Sequence, residues 1–408
     1  MKTLNAFVLV GLLVLSGMAE NSYAKETGEF TWPQWFGPNR NGISAETGII
    51  KSWSTDGPQI LWRTGSGDGY SSMAVVNGRL YTCYGKATEE LAVCLDANSG
   101  KTLWSYKMDS QFDNDMGNGP RSTPTLDGNI VFVLSARANL VALNAAKGTE
   151  IWKHNLPEKF GAQIPTWGVA TSPLVYGDFL LVDVGGKGDF GFMAFNKKNG
   201  AVVWKTATEM PGYSAPVAVN VNGVKQVLSF TGKELISVAP MTGKKLWGLP
   251  WQTSYDVNAA TPIFIAPDKV FISSGYNVGG ALLKIDGTSM QQVWKSREMR
   301  NHFATCLYIN GYLYGFDDAN YKCMNANTQE VKWEKRGFGK GSAIYADGQI
   351  ILLSEKGQLV LIEAAPEEYR ETASAQLLQG RCWTSPALVN KKLYIRNQQE
   401  ILAIDMAK

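Results

Sequence analysis

Histidine is almost absent from this sequence, with two in 408 residues, which removes the ligand set of a His-rich metal centre and argues against a His-based catalytic triad. An excess of either charge is missing too: 39 Lys plus Arg face 36 Asp plus Glu, a net charge of +3, so nucleic acid is not indicated as a partner. Cysteine is sparse, five residues with no two adjacent. No apolar run reaches the roughly twenty residues of a membrane-spanning helix, and helical periodicity is absent downstream of the leader. What is present is 45% hydrophobic against 18% charged residues, enough for a large folded core, with 42 Gly and 16 Pro to supply many turns.

The N-terminus reads as an export signal. Lys2 gives a positive start, Ala6 to Leu15 an apolar run, and Ser22-Tyr23-Ala24 the small-x-small cleavage pattern, so residues 1–24 are a signal peptide and the mature chain begins near Lys25. No Cys follows the apolar run to carry a lipid, and a periplasmic or secreted location is expected. Disulfides are permitted there, and the odd count of Cys83, Cys94, Cys306, Cys323 and Cys382 leaves at least one thiol free. Cys83 and Cys94 flank a hairpin and are the first pair to consider, although each fits better as a small buried apolar residue.

A repeat fixes the architecture. A short apolar strand ends in Asp or Asn, Gly follows four residues later, and Trp four after that: Asp96, Gly100, Trp104, then Asn144, Gly148, Trp152, then Asn196, Gly200, Trp204. Ala239, Gly243 and Trp247 keep the second half; Asp286 with Trp294 and Asn325 with Trp333 keep the ends, with Met290 and Gln329 in the Gly position. Glu363 and Asp405 end two further strands. The eight anchors recur on average about every 44 residues, the period of a four-stranded propeller blade. Hairpin turns precede them, at Asn77-Gly78, Asp127-Gly128, Asn222-Gly223, Asn310-Gly311 and Asp347-Gly348 in the clearest units. Only three residues follow Asp405, too few for an outer strand, whereas Ile60-Leu61-Trp62-Arg63 has outer-strand character and no blade of its own. The expectation is an all-β, eight-bladed β-propeller of four-stranded antiparallel blades, residues 58–408, closed by pairing the N-terminal strand with the last blade. Residues 25–57, with three Trp, are expected to pack on the ring. Unit seven has Ala364-Ala365-Pro366 and no Trp, so its outer strand is expected near Tyr369 to Ala373.

Cys94-Leu95-Asp96 through Gly100-Lys101-Thr102-Leu103-Trp104 resembles the quinoprotein-type (PQQ-like) propeller repeat, and Trp32-Pro33-Gln34-Trp35-Phe36-Gly37-Pro38-Asn39-Arg40-Asn41-Gly42 is similar to the opening of a group of exported bacterial PQQ-like proteins. The resemblance implies one of two kinds of function. Quinoprotein alcohol dehydrogenases hold pyrroloquinoline quinone (PQQ) and calcium over the ring axis; the BamB group of outer-membrane assembly factors binds protein partners without a cofactor. The dehydrogenase resemblance also implies adjacent cysteines and a calcium ligand set, and this sequence has no such cysteines. Its densest oxygen clusters, Asp113-Asn114-Asp115 and Asp317-Asp318 with Asn320, lack calcium-loop spacing. The BamB resemblance implies a lipid-bearing Cys, also lacking.

Candidate binding residues come from topology. In a propeller the connections from an outer strand to the next inner strand share one face with the second-to-third-strand turns, around the channel. The first set places Tyr70, Arg121, Trp167, Tyr213, Asn258, His302, Lys340, Arg381 and Trp383 on one rim, where aromatics and cations suit a small anionic or saccharide ligand. No catalytic or metal residue is singled out, and PQQ with calcium stays an open cofactor pair. The long connections 107–121 and 155–169 border the second blade as a lid or partner surface. The function expected is a monomeric, non-enzymatic binding or protein-interaction scaffold of the bacterial cell envelope, with a PQQ-dependent oxidoreductase acting on an alcohol or sugar as the alternative.

Overall fold

The computed structural model describes residues 30–408; the predicted signal peptide lies outside them. Eight four-stranded antiparallel sheets form the eight blades of a β-propeller, each with strands A to D from the channel outward. Blade 1 is Ala74–Val76, Arg79–Lys86, Glu89–Asp96 and Thr102–Ser110. Blades 2 to 7 span 125–155, 174–206, 217–250, 263–296, 307–335 and 342–376. Blade 8 takes strands A to C from 387–405 and its strand D from Ile60–Gly65, which pairs antiparallel with Glu400–Asp405. The ring is closed by its N-terminal strand, as the spare Trp62 segment predicted.

The repeat is explained by what each of its residues touches. Seven anchors are the last residue of a strand C, and Ala239 follows the eighth directly. Asp96 accepts the backbone N–H of Asn98 and Ser99, and Asn144 those of Ala146 and Lys147, so the short polar side chain builds the turn. The Gly then adopts a left-handed conformation (φ 70° at Gly148), and a Cβ there would stand 2.6 Å from the Trp104 ring of the preceding blade. Two constraints, chirality and contact with the indole, therefore select Gly. Six of the seven strand-D indoles donate Nε1–H to a carbonyl just past the next blade's anchor, at 2.9–3.1 Å: Trp62 to Ala97, Trp104 to Ala145, Trp152 to Lys197, Trp204 to Pro240, Trp294 to Ala326 and Trp333 to Ala365. Trp247 reaches the next blade through buried Gln226, whose Oε1 accepts its N–H and whose Nε2 donates to Gly287 O. Each indole buried in a seam contributes on the order of 2–3 kcal/mol.

Two details differ from the sequence reading, and the thiols match its preferred one. The outer strand of blade 7 is Glu371–Gln376, starting later than expected because the turn after Glu363 is longer. Tyr369 instead packs edge-on against Trp333, and Trp53 Nε1 donates to Ser374 O in place of a blade indole. A short helix, Leu156–Phe160, sits in the long connection after blade 2, capped by Asn155 and by Gly161 at φ 67°; five residues are too few to leave a periodic signal. Cys83 and Cys94 are both free: Cys83 lies opposite Ala92 and Cys94 opposite Tyr81, so the two thiols are not cross-strand neighbours.

The channel is filled from the face of the A–B turns by residues 31–50. Trp32 exchanges backbone bonds with Val75, Pro33 O accepts from Leu126 N, Trp35 Nε1 donates to Thr261, and Gly42 and Ser44 bracket Tyr345. The segments leading into the strands A are stitched by hydroxyls: Ser72 N to Thr123, Thr123 N to Ser172, Ser214 to Ala260 O, Thr261 N to Thr305, Ser342 to Thr384 O and Ser72 to Ser385 O. At the junction of blades 3 and 4 the hydroxyl is replaced by Ala215, and the side chain of Arg40, 3% exposed, takes over. It donates to Ser172 O, Pro173 O and Pro216 O and to Gln34. Burial pulls its pKa down to about 9, which still leaves it protonated at neutral pH.

Candidate functional site

The opposite face, where the D–A connections meet the B–C turns, carries the predicted rim. Ring contacts run around it from blade to blade. Tyr213 meets Trp167 (6.0 Å between centroids), Trp167 meets Tyr255 (5.9 Å), Tyr255 meets Tyr276 (5.9 Å) and Tyr276 meets His302 (4.8 Å). His302 then meets Phe303 (5.7 Å), Phe303 meets Trp383 (4.8 Å) and Trp383 meets Tyr70 (5.3 Å). The Arg121 guanidinium lies 5.9 Å from the Tyr70 ring and 4.9 Å from Phe112, and Arg381 lies 4.4 Å over Trp383. Aromatic pairs and cation–π contacts of this kind contribute about 0.5–1.5 kcal/mol each beyond the area buried, so the belt is a stiff surface.

Eight of the nine predicted residues stand in or beside this belt. Lys340 joins it through an ion pair with Asp318 (3.1 Å), and its backbone N–H donates to Glu355, which also accepts Trp383 Nε1–H. Asn258 does not present itself at the rim. It is fully buried, its Nδ2 donating to Thr231 O, Gly232 O and Trp251 O and its Oδ1 accepting from Ser274, so it is the anchor of the 251–258 loop. Sequence reading placed Phe303 on this face beside His302 without selecting it, and passed over Tyr255, Tyr276 and Phe112. Tyr276 sits in a B–C turn, the half of the face not enumerated, and Tyr255 lies in the same connection as Asn258.

The long connections form a wall over blades 1 to 3. Asn114 Nδ2 donates to Thr166 O (3.2 Å), and Phe112 lies between the Arg121 and Arg137 guanidiniums. Arg121 donates to Gly117 O and Gly119 O, and Arg381 to Tyr70 Oη and Met116 O, while no ion pair with a carboxylate is formed by Arg121, Arg137 or Arg381 among the described residues. Beneath the wall Glu90 is fully buried; burial raises its pKa to about 7 against the N–H groups of Ala136 and Phe112 that it accepts. With both oxygens used on loop backbone, Glu90 ties the wall down and is not placed to serve as a base.

Between blades 5, 6 and 7 lies a pocket of about 190 Å³ lined by Tyr276, Asn277, Arg300, His302, Asp318 and Lys340. Burial, then the charge of Lys340, lowers the His302 pKa to about 4, so its imidazole is neutral. Behind the pocket Asp317 is gripped by Arg300 (2.6 and 3.0 Å) and Lys322 (2.7 Å); burial alone would raise its pKa, but these contacts win and hold it at about 2.

A quinone with calcium needs several oxygen ligands not already spent. Asp317 is committed to Arg300 and Lys322, Asp318 to Lys340, and Asp113 and Asp115 lie on the exposed wall. Among the described residues no three His, Cys, Asp or Glu side chains converge on a metal position. The residues present do not fit that pair.

Comparison with known proteins finds relatives in both groups; the solved quinohemoprotein alcohol dehydrogenase of Comamonas testosteroni superposes with a TM-score of 0.65 at 13% identity, over 93% of this chain and 81% of that one, a likeness of fold. A family model described as outer membrane protein assembly factor BamB matches residues 46–121 and 111–335. The outer membrane protein assembly factor BamB of Salmonella typhimurium is 24% identical over 302 residues, covering 68% of this chain and 72% of that protein. The quinoprotein alcohol dehydrogenase PedH of Pseudomonas putida is 30% identical over 121 residues, 28% of this chain, and the match spans only 19% of the dehydrogenase's length. Among solved structures, BamB from Moraxella catarrhalis superposes with a TM-score of 0.61 at 14% identity, over 84% of this chain and all of that one, a likeness of fold.

Proposed function

Because the chain belongs to the family described as outer membrane protein assembly factor BamB, we propose that it is a protein-interaction propeller of the bacterial cell envelope, exported and monomeric, that receives its partner on the aromatic rim. The observation that carries this reading is the belt itself. With the channel filled from the far side by residues 31–50, the rim is a broad, stiff, amphipathic surface of Tyr, Trp and Arg, the side chains that dominate binding hot spots. Stiff aromatics cost little ordering entropy on association, and Arg121, Arg137 and Arg381 keep N–H donors that no carboxylate occupies. The similarity to the Pseudomonas putida dehydrogenase motivates a quinoprotein oxidoreductase as the second reading, and the committed carboxylates count against it.

The test is affinity capture from the envelope fraction with the parent and an Arg381→Ala/Trp383→Ala variant of the same melting temperature. The reading requires an outer-membrane or assembly protein retained by the parent and lost from the variant. Equal retention by both would place the docking surface elsewhere.

A further inference from the structure

Five left-handed residues other than Gly lie in the pocket beside blade 5 and in the connections that flank it: Tyr255 (φ 65°), Asp256 (φ 57°), Tyr276 (φ 56°), Asn277 (φ 63°) and Met299 (φ 57°). Asn and Asp tolerate this conformation, but Tyr and Met do not do so readily, and strain of this kind collects where a surface must present particular groups. The loop is held in place from within, by the four hydrogen bonds of Asn258 and by the Lys233–Asp256 ion pair at 2.6 Å. What it holds up is Tyr255, 70% exposed, with its ring fixed edge to face between Trp167 and Tyr276.

We propose that this sector is a binding site for a neutral saccharide, one sugar ring seated in the pocket beside Tyr276 and the next lying on Tyr255. The argument is independent of the protein-partner reading and rests on the chemistry of the lining. Every charge at the pocket is already paired: Arg300 with Asp317, and Lys340 with Asp318. A carboxylate ligand would meet the Asp318 oxygens and find no uncommitted cation. The pairs nevertheless hold donors and acceptors in fixed directions beside the Asn277 amide, next to aromatic faces. A ligand that offers hydroxyl donors and acceptors together with an apolar C–H face, and no charge, answers all of these groups at once. A proline-rich segment offers carbonyl acceptors but no donors, and would leave Asp318 and the Asn277 carbonyl unanswered. The volume, about 190 Å³, has room for a single ring and none for a folded element.

The experiment is titration of the purified protein with three neutral hexasaccharides (cellohexaose, mannohexaose and N-acetylchitohexaose), followed by calorimetry and tryptophan fluorescence, with a galacturonic acid hexamer and hexaproline as competitors. The expected result is saturable binding of at least one neutral hexasaccharide with a Kd below about 1 mM. A Tyr255→Ala/Tyr276→Ala variant should weaken it at least about tenfold, and Met241→Ala, on an exposed turn at the outer edge, should leave it unchanged. Binding of none of the three would overturn the proposal. So would binding that survives in the double variant at the parent melting temperature, or tighter binding of either competitor. Because the readout needs no protein partner, it fails or succeeds separately from the docking reading.

Discussion

Replacing Arg40 by Met should loosen the ring from its centre, and the size of the effect can be worked from what the guanidinium touches. Met keeps the buried stem but strands two carbonyls, Ser172 O and Pro216 O, leaves Pro173 O with the Thr125 hydroxyl as its donor, and frees Gln34. Each buried acceptor left without a donor costs about 1–3 kcal/mol. Against this, Met relieves the cost of holding a cation in the interior, the same cost that pulls the Arg40 pKa down to about 9. Two stranded carbonyls, with the lost bonds to Pro173 O and Gln34, outweigh that relief and leave a net loss of about 3 kcal/mol. At about 2.1 cal/mol/K per residue, a ring of this size unfolds with an entropy on the order of 0.8 kcal/mol/K, so 3 kcal/mol lowers Tm by about 4 °C. Arg40→Lys, which keeps the charge but cannot span three carbonyls from one planar fork, should recover less than half. Calorimetric scans of the parent and both variants decide it. A Tm for Arg40→Met at or above the parent's would mean that Arg40 does not staple blades 3 and 4.

Other outcomes follow from the same contacts. Gly148→Ala must accept both a left-handed Ala and a Cβ 2.6 Å from the Trp104 ring, so it should cost about 2–3 kcal/mol and shift tryptophan emission, read by denaturant melts followed by fluorescence. Deleting residues 59–63 removes most of the strand that closes blade 8 and should abolish one cooperative melt; a deletion protein melting like the parent would refute closure. Asp183 is fully buried, and burial raises its pKa to about 7, only partly opposed by backbone N–H groups; its Oδ2 accepts Gly212 N–H and its Oδ1 has no partner. The folded protein therefore holds this proton more tightly than the unfolded chain does, so its contribution falls as pH rises from about 4 to 7. Asp183→Asn should flatten that decline by about 2 kcal/mol or more, seen as a smaller Tm difference between pH 5 and pH 8.

The ring was legible because one packing problem recurs at every seam. An Asx turn, a left-handed Gly and an indole must meet at the same spacing each time, and Asp96, Gly100 and Trp104 state that requirement locally. Blade 7 was blurred because its outer strand is secured by Trp53, far away in sequence. The path of residues 31–50 was opaque for the same reason: Arg40 is recognisable as a stapling residue only once Ser172 and Pro216 are beside it. At the rim, topology found the connecting loops without telling which side chains point outward. Asn258 and Trp167 both lie in outer-to-inner connections, yet one is an inward anchor and the other part of the belt. Tyr255 stands exposed on a left-handed backbone (φ 65°) that its residue type does not signal.

The most direct test of the rim as the docking face is a photo-crosslinking map in living cells, with benzoylphenylalanine placed singly at Tyr255, Met116 and Arg381 on the rim and at Met241, Leu103 and Val293 around the outer edge. The account predicts adducts with one outer-membrane or assembly protein from rim positions and none from edge positions. Adducts confined to the outer edge, with the rim silent, would contradict it.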